Sequence, residues 1–166
     1  EIIPNAPTVS RFTLVSPTDR HVFLFGTETT IGTSATSDPL FLRFSSQEDY
    51  NTWIPTATNT AGSFRIQDGS KIMAAARSRG AILVWTDTSL HGMQFVGPPF
   101  TFSLNQLGAN CGAVSNHCVK DVNGITYWMS QNSFYMFDGA VKKIPCSVQD
   151  YVFGDFNITT QPETYC

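Results

Sequence analysis

The chain has 166 residues, of which 42% are apolar, 13% aromatic and only 14% charged. This composition excludes a disordered polyelectrolyte, and the length suits one domain or part of one, with enough large side chains to fill a core. The formal net charge is −3 and basic residues are scattered singly apart from Lys142-Lys143, which excludes a basic surface for gripping nucleic acid phosphates.

The apolar runs and the first residues bear on whether the chain spans a membrane or begins with a signal peptide. No apolar run approaches the roughly 18 residues that a membrane-spanning helix needs, and Glu1-Ile2-Ile3-Pro4 lacks the basic start of a signal peptide. Because there is no initiator Met and residues 1–10 read as a linker, we expect the chain to be an internal part of a longer protein.

Short runs of β-branched and aromatic residues between turn formers predict an all-β chain. The predicted strands are 22–25, 40–44, 81–85, 93–96, 100–102, 119–122, 125–129, 134–137 and 140–144. Many are apolar on both faces, which is typical of sheets covered on both sides. Asn123-Gly124 predicts a type I′ hairpin because both residues tolerate a positive φ, whereas Gly97-Pro98-Pro99-Phe100 predicts a rigid extended link between outer strands.

An internal repeat organises these strands. Ile82–Leu90 aligns with Ile125–Phe134, so that Trp85 and Trp128 lie 43 residues apart at equivalent positions, and Leu40–Phe44 is predicted as the third strand of an earlier copy. Four meandering strands in a unit of this length are typical of a β-propeller blade. Three blades cannot close a ring, so further chain is expected beyond this fragment.

The whole chain is therefore predicted to be one fragment, 1–166, of a larger propeller domain. Its parts are a linker at 1–10, blades at 11–67, 71–106 and 111–144, and a short helix with a tail at 145–166. The helix is predicted near 147–153, where Ser147 precedes Asp150 at capping-box spacing and where Val148, Tyr151 and Val152 would share a face.

Two interpretations apply to the segment Ser45–Trp53, in which short polar residues precede a Trp, a pattern similar to the Asp-box turns of some propeller blades. The first is a capped turn with Trp53 packed beneath it. The second is a carbohydrate-binding loop, in which Glu48 and Asp49, or Asp87 elsewhere, would serve a glycosidase only if the fold set two carboxylates about 5–10 Å apart.

The paired tryptophans Trp85 and Trp128 also allow two interpretations. They could form a stacking platform for sugars or bases. Equivalent large residues in successive repeats more often fill the gap between neighbouring units, and we predict a core role for both.

The cysteines and histidines do not follow a metal or disulfide pattern. Cys111, Cys118, Cys146 and Cys166 are unevenly spaced with no CxxC pair, which favours free thiols. Cys111 with His117-Cys118 lacks the paired spacing of a zinc site, and a structural thiol beside an incidental His is favoured.

The remaining patterns carry no chemistry. His21 and His91 are isolated, Asn157-Ile158-Thr159 is a glycosylation sequon that matters only in a secreted protein, and no nucleophile elbow, HExxH or phosphate loop is present. We therefore predict no enzyme, no catalytic, cofactor-binding or metal-binding residue, and no cofactor.

Six longer segments carry a family resemblance that runs from about residue 8 to 156. They are Leu42–Trp53, Leu83–Leu90, Met93–Phe100, Ile125–Ser130, Met136–Gly139 and Ile144–Phe153. Together they resemble bacteriophage virion structural proteins, and the nearest family is the tail stabilisation or nozzle protein of tailed phages, a β-propeller-containing component also termed tail tubular or packaged-DNA stabilisation protein.

The resemblance implies a structural, oligomeric component of the virion tail, assembled in the host cytoplasm. Its partners would be other copies of itself in a ring, such as a hexamer, and neighbouring tail proteins, with DNA only as passing cargo and no catalytic residue. The modest acidity suits a conduit whose negative lining repels DNA phosphates.

Three functional hypotheses follow. The first is a tail structural component of nozzle, stabilisation or baseplate-associated type that acts by self-assembly. The alternative is a carbohydrate-binding or glycan-degrading propeller module of a phage tail, for which Trp53 would have to be exposed beside converging carboxylates. The third, an extracellular adhesion module, would need Cys111, Cys118 and Cys146 to form disulfides.

Overall fold

The structure is a computed structural model that describes residue 3, residues 5–16 and residues 18–155. In these ranges the chain forms twelve strands, one α-helix and two short 3-10 turns at Ser34–Thr36 and Asn116–Cys118. The elements are β1 (Phe12–Ser16), β2 (His21–Phe25), β3 (Phe41–Phe44), β4 (Gly62–Arg65), β5 (Ile72–Ser78), β6 (Ala81–Thr86), β7 (Ser89–Gly97), β8 (Thr101–Ala109), β9 (Val119–Val122), β10 (Ile125–Met129), β11 (Phe134–Phe137), β12 (Val141–Ile144) and α1 (Gln149–Gly154).

The strands form three four-stranded sheets in chain order, β1-β2-β3-β4, β5-β6-β7-β8 and β9-β10-β11-β12. Neighbouring strands run antiparallel, so that each sheet is a meander. The predicted all-β class is confirmed, and three blade-like sheets with one short helix match the strand pattern of a partial propeller. The one α-helix among the described residues is far too short to span a membrane.

The chain divides into two compact units. The first consists of Glu1–Ile72 with Gln94–Leu104, and the second of Met73–Met93 with Asn105–Cys166. The middle sheet therefore contributes to both units, because the second half of β7 and the first half of β8 belong to the first unit.

The core of the first unit is built from phenylalanines. Phe23 and Phe25 of β2 are fully buried, and the Phe102 ring meets the rings of Phe23 and Phe44 edge-on, with centroids 5.2 and 4.9 Å apart. Such edge-to-face pairs are the favoured aromatic geometry. Gly62 faces Phe44 across the sheet, and a Cβ there would lie 2.4 Å from the Phe44 ring, so only glycine leaves room for that ring.

The core of the second unit is centred on two tryptophans. Trp85 and Trp128 pack edge to face with centroids 5.4 Å apart, together with buried aliphatic residues such as Leu83. Trp85 is opposite Leu90 on the next strand and Trp128 is opposite Tyr135 on its next strand. Each tryptophan is thus the penultimate residue of its strand. The predicted alignment of Leu90 with Phe134 is wrong by one residue, because Phe134 lies opposite Met129.

The tightest turns follow from positive φ angles. Asn123 and Gly124 have φ of 54° and 79° between the paired residues Val122 and Ile125, which confirms the type I′ hairpin. The extended link predicted at Gly97–Phe100 is wrong. Gly97 has φ of 78° and its carbonyl accepts a bond from the Phe100 amide at 3.2 Å, so that the segment reverses the chain between β7 and β8.

Three strands were not among the predicted runs: β1, β4 and β5. The sequences GSFR of β4 and IMAAARS of β5 have little strand propensity, and pairing within the sheets brings them into the fold. The sequence FTLVS of β1 has good strand propensity and was overlooked. Strands β7 and β8 are also longer than the runs predicted within them.

The short helix is present, but its predicted details are wrong. It begins at Gln149 with Val148 at the cap position and no side-chain capping bond, so Ser147 does not cap it. Val148 and Tyr151 are exposed, whereas Val152 and Phe153 pack against a small buried cluster. The half-buried apolar residues of the helix are thus Val152 and Phe153, and of the predicted face only Val152 is packed.

Candidate functional site

The loop before Trp53 closes on itself. Trp53 is 2% exposed and its indole nitrogen donates to the Tyr50 carbonyl at 2.7 Å. Asp49 accepts bonds from the Asn51 amide at 2.9 Å and from the Thr52 hydroxyl at 2.6 Å. This is the capped turn with a Trp packed beneath it, and it presents no indole face for stacking.

The two carboxylates of this loop have different partners. The hydrogen bonds from the Thr52 hydroxyl and the Asn51 amide hold the pKa of Asp49 below its ordinary value, so Asp49 stays ionised as a turn acceptor. Glu48 forms an exposed ion pair with Arg20. The pair required for a glycosidase at Trp53, with an exposed ring beside it, is not assembled at this loop.

Trp85 and Trp128 are both buried, at 0% and 3% exposure, so neither forms an open stacking platform, although Trp128 contributes to the wall of an apolar groove. The Trp128 indole nitrogen donates to the Cys111 carbonyl at 2.7 Å, and its ring stacks on Tyr135 with centroids 5.7 Å apart. The Trp85 indole nitrogen has no acceptor among the described residues. A buried N–H without a partner is uncommon. The two tryptophans therefore differ in the hydrogen bonding of their indole nitrogens.

The residues weighed as a metal site lie in different environments. Cys111 belongs to the tryptophan cluster, where burial raises the pKa of its thiol, while Cys118 packs with Val114 and Met129. His117 is exposed. In residues 3, 5–16 and 18–155, no three His, Cys, Asp or Glu side chains come close enough to hold a metal ion.

The cysteines of the described segment are free thiols. Cys111 and Cys118 are buried and Cys146 is half-buried, and none of them forms a disulfide. The adhesion-module hypothesis needed bridges among these three residues, so nothing in the described part supports it. Cys166 and the sequon at Asn157 lie outside the described residues.

His21 is buried in the aromatic core of the first unit. Its Nδ1 donates to the Asp19 carbonyl at 2.5 Å, and its Nε2 lies 3.3 Å from the Thr60 hydroxyl. Burial lowers the pKa of His21 below its ordinary value, although the Asp19 carbonyl opposes that effect. The Phe102 ring stands edge-on 5.0 Å away, so the neutral ring serves as a core residue.

Sequence reasoning missed a buried charged network in the same unit. The Glu28 carboxylate accepts bonds from the Thr8 amide at 2.9 Å, the Thr8 hydroxyl at 2.8 Å and the Gly32 amide at 2.5 Å. Burial raises the pKa of Glu28, but these bonds outweigh it and leave the pKa below the ordinary value. Arg43 donates to the Glu28 carbonyl at 3.2 Å and also to the Thr29 carbonyl. Glu28 and Arg43, the two charged side chains of the network, both hold the loop that follows β2 against the sheet.

Two cavities remain as candidate sites, both within the second unit. The larger is an apolar groove of about 350 Å³ on the last sheet, lined by Tyr127, Met129, Phe134 and Ile144 with Lys120 also in its wall. The smaller is a polar cleft of about 230 Å³, lined by turn residues that include Asp87, Asn110 and Asn132. Of the acids weighed as catalytic, Asp87 lines this polar cleft, and no second carboxylate lines it.

The residues of the polar cleft were not predicted as a site. The aligned repeat does place polar turns after Trp85 and Trp128, and that pattern was the available signal. Comparison with known proteins adds no family assignment, since no protein-family model and no curated protein matches the chain.

Proposed function

We propose that the chain is a structural component of a bacteriophage tail, of nozzle, stabilisation or baseplate-associated type, that acts by self-assembly and by docking to neighbouring tail proteins. One observation carries the proposal. The aromatic and acidic residues that a ligand or catalytic site would use, Trp53, Trp85, Trp128, Glu48 and Asp49, are engaged within the fold. These five residues serve core packing, a turn or an ion pair, and such use suits assembly better than chemistry.

Exposed apolar residues supply surfaces for docking. Phe100 at the β7–β8 turn is 76% exposed, Val96 of β7 is 54% exposed, and Tyr151 of the helix is 82% exposed. The apolar groove of the last sheet adds a concave surface. Exposed apolar patches commonly mark protein–protein contacts.

The virion part of the proposal comes from the sequence resemblance. The resemblance implies a tail protein assembled in the host cytoplasm as a ring, such as a hexamer, with DNA as passing cargo. The formal net charge of −3 suits a conduit whose lining repels DNA phosphates. A basic lining of the assembled channel would contradict the conduit role.

Peptide mass spectrometry of purified virions tests the proposal. Particles of the phage whose genome carries this sequence are banded on a density gradient, and the infected-cell lysate serves as the positive control for peptide detection. We expect peptides of this chain to follow the particle band at a fixed ratio to other tail proteins. Peptides found in the lysate but absent from particles, or a source genome without phage genes, would overturn the proposal.

A further inference from the structure

The polar cleft of the second unit is formed by three connections. One wall is the β6–β7 turn at Asp87-Thr88, and another is the β10–β11 turn at Ser130–Asn132. The third is the link from β8 to β9, which contributes Asn110 and Gly112. The first two turns are equivalent in the repeat, so the cleft lies between corresponding ends of two successive sheets.

Hydrogen bonds and close packing hold these walls in place. The Cys111 amide donates to the Thr88 carbonyl at 3.0 Å, and the Ala113 amide donates to the Thr86 carbonyl at 3.1 Å. Between them, a Cβ on Gly112 would lie 2.3 Å from the Asp87 backbone, so only glycine allows the link to approach the turn this closely. The cleft is therefore preformed rather than assembled from mobile loops.

The lining has the hydrogen-bonding groups that a neutral sugar requires. Asn110, Gln131 and Asn132 carry amides that both donate and accept, and Thr88 and Ser130 carry hydroxyls that do the same. Sugar hydroxyls also donate and accept, so each finds partners in such a set. Asp87 contributes the one carboxylate of this lining.

Charge and size disfavour anionic ligands and large apolar ligands. No Lys, Arg or His lines the cleft, and its single charge is negative, so phosphates and carboxylates are disfavoured. Pockets for drug-sized ligands are mostly apolar and commonly exceed about 300 Å³ in volume. The cleft is smaller and more polar than such pockets. The half-buried Tyr135 closes one side, and its hydroxyl reaches the Asn110 carbonyl at 3.4 Å.

We propose that this cleft binds one neutral monosaccharide unit of a glycan. The proposal goes beyond the scaffold function and does not depend on it. It also differs from the carbohydrate loop considered at Trp53, because it uses amides and hydroxyls of adjacent sheet ends instead of an exposed indole.

NMR titration of the ¹⁵N-labelled chain tests the proposal with three probes, D-glucose, D-galactose and N-acetyl-D-glucosamine. We expect at least one to give saturable amide shifts centred on 87–88, 110–112 and 130–132, with millimolar affinity. A double variant, Gln131→Ala with Asn132→Ala, removes two exposed amides and is expected to weaken binding by about tenfold or more. Asn105→Ala removes an exposed amide elsewhere in the same unit and should leave the affinity unchanged.

Parallel titrations with inorganic phosphate and with Ca²⁺ separate the alternatives. The proposal predicts no saturable shift of the cleft amides with either ion. It is overturned if none of the three sugars gives a saturable response, if the double variant binds them as well as the parent chain, or if phosphate or Ca²⁺ saturates the cleft instead. Far-UV circular dichroism of both variants confirms that each remains folded.

Discussion

The two compact units bury polar groups in different ways. The first buries a carboxylate and a guanidinium, Glu28 and Arg43, together with the neutral His21. Among the described residues of the second unit, the buried polar side chains are hydroxyls and His91, and its core is dominated by Trp85 and Trp128. We therefore expect the stability of the first unit to depend on pH, and the stability of the second unit to depend on the volume of its buried side chains.

The largest expected effect is on the second unit. Trp128→Ala and Trp85→Ala each remove a buried ring from the same cluster, and each should lower the free energy of unfolding by about 3–5 kcal/mol. Urea titration followed by far-UV circular dichroism measures it. Tyr127→Ala, on the opposite face of β10 and 38% exposed, is the control and should cost less than about 1 kcal/mol. Equal costs for Trp128 and Tyr127 would refute the core role.

The next effect is on the first unit. Glu28→Gln replaces a carboxylate that accepts three bonds by an amide with one acceptor oxygen, and should lower the free energy of unfolding by about 2–3 kcal/mol at pH 7. Because the folded pKa of Glu28 is depressed, its contribution is present above the unfolded value near 4.5 and is lost as pH falls through the folded pKa.

Urea titrations between pH 7 and pH 3 measure this change. The parent chain and Glu28→Gln should converge as the pH falls. Thr13→Gln, at an exposed position of β1, serves as the control. Its difference in unfolding free energy from the parent chain should not change with pH. A constant difference between the parent and Glu28→Gln at every pH would show that the charge is irrelevant.

A smaller effect separates the two tryptophans. Trp128→Phe removes the donor to the Cys111 carbonyl, whereas Trp85→Phe removes an indole N–H that has no acceptor among the described residues. Both lose similar volume, so Trp128→Phe should be costlier by about 1–2 kcal/mol in the free energy of unfolding. A greater cost for Trp85→Phe would contradict the hydrogen-bond assignment.

The smallest effect is the titration of His21. Its folded pKa is lowered, so below the ordinary value of 6.5 the unfolded chain takes up a proton that the folded chain resists, and stability falls as pH decreases. His21→Gln should flatten this dependence between pH 6.5 and the folded pKa by at most about 1.4 kcal/mol per pH unit. His117→Gln, at an exposed position, serves as the control, and an unchanged slope in His21→Gln would contradict the burial of a neutral ring.

The sequence predicted features that local chemistry determines. Asn123-Gly124 specifies its hairpin because both residues adopt positive φ, and Trp85 and Trp128, 43 residues apart, are each the penultimate residue of their strand. The predicted link at Gly97–Phe100 failed because the positive φ of Gly97 outweighs the extended preference of the two prolines.

Features that depend on distant residues were not predicted. Strand β5 is Ala-rich and becomes a strand through pairing within its sheet. The bond set of Glu28 joins Thr8 to Gly32, and the polar cleft joins Asp87 to Asn110 and Asn132, all separated widely in sequence. No local pattern specifies such neighbours, because the sheet order determines which turns meet.

Acrylamide quenching of tryptophan fluorescence tests the scaffold interpretation most directly. All three tryptophans of the chain, Trp53, Trp85 and Trp128, are at most 3% exposed, so the native protein should be quenched several-fold less than the same protein unfolded in guanidinium chloride. Native quenching as strong as that of the unfolded chain would show indole rings open to solvent and would contradict their role as buried packing residues.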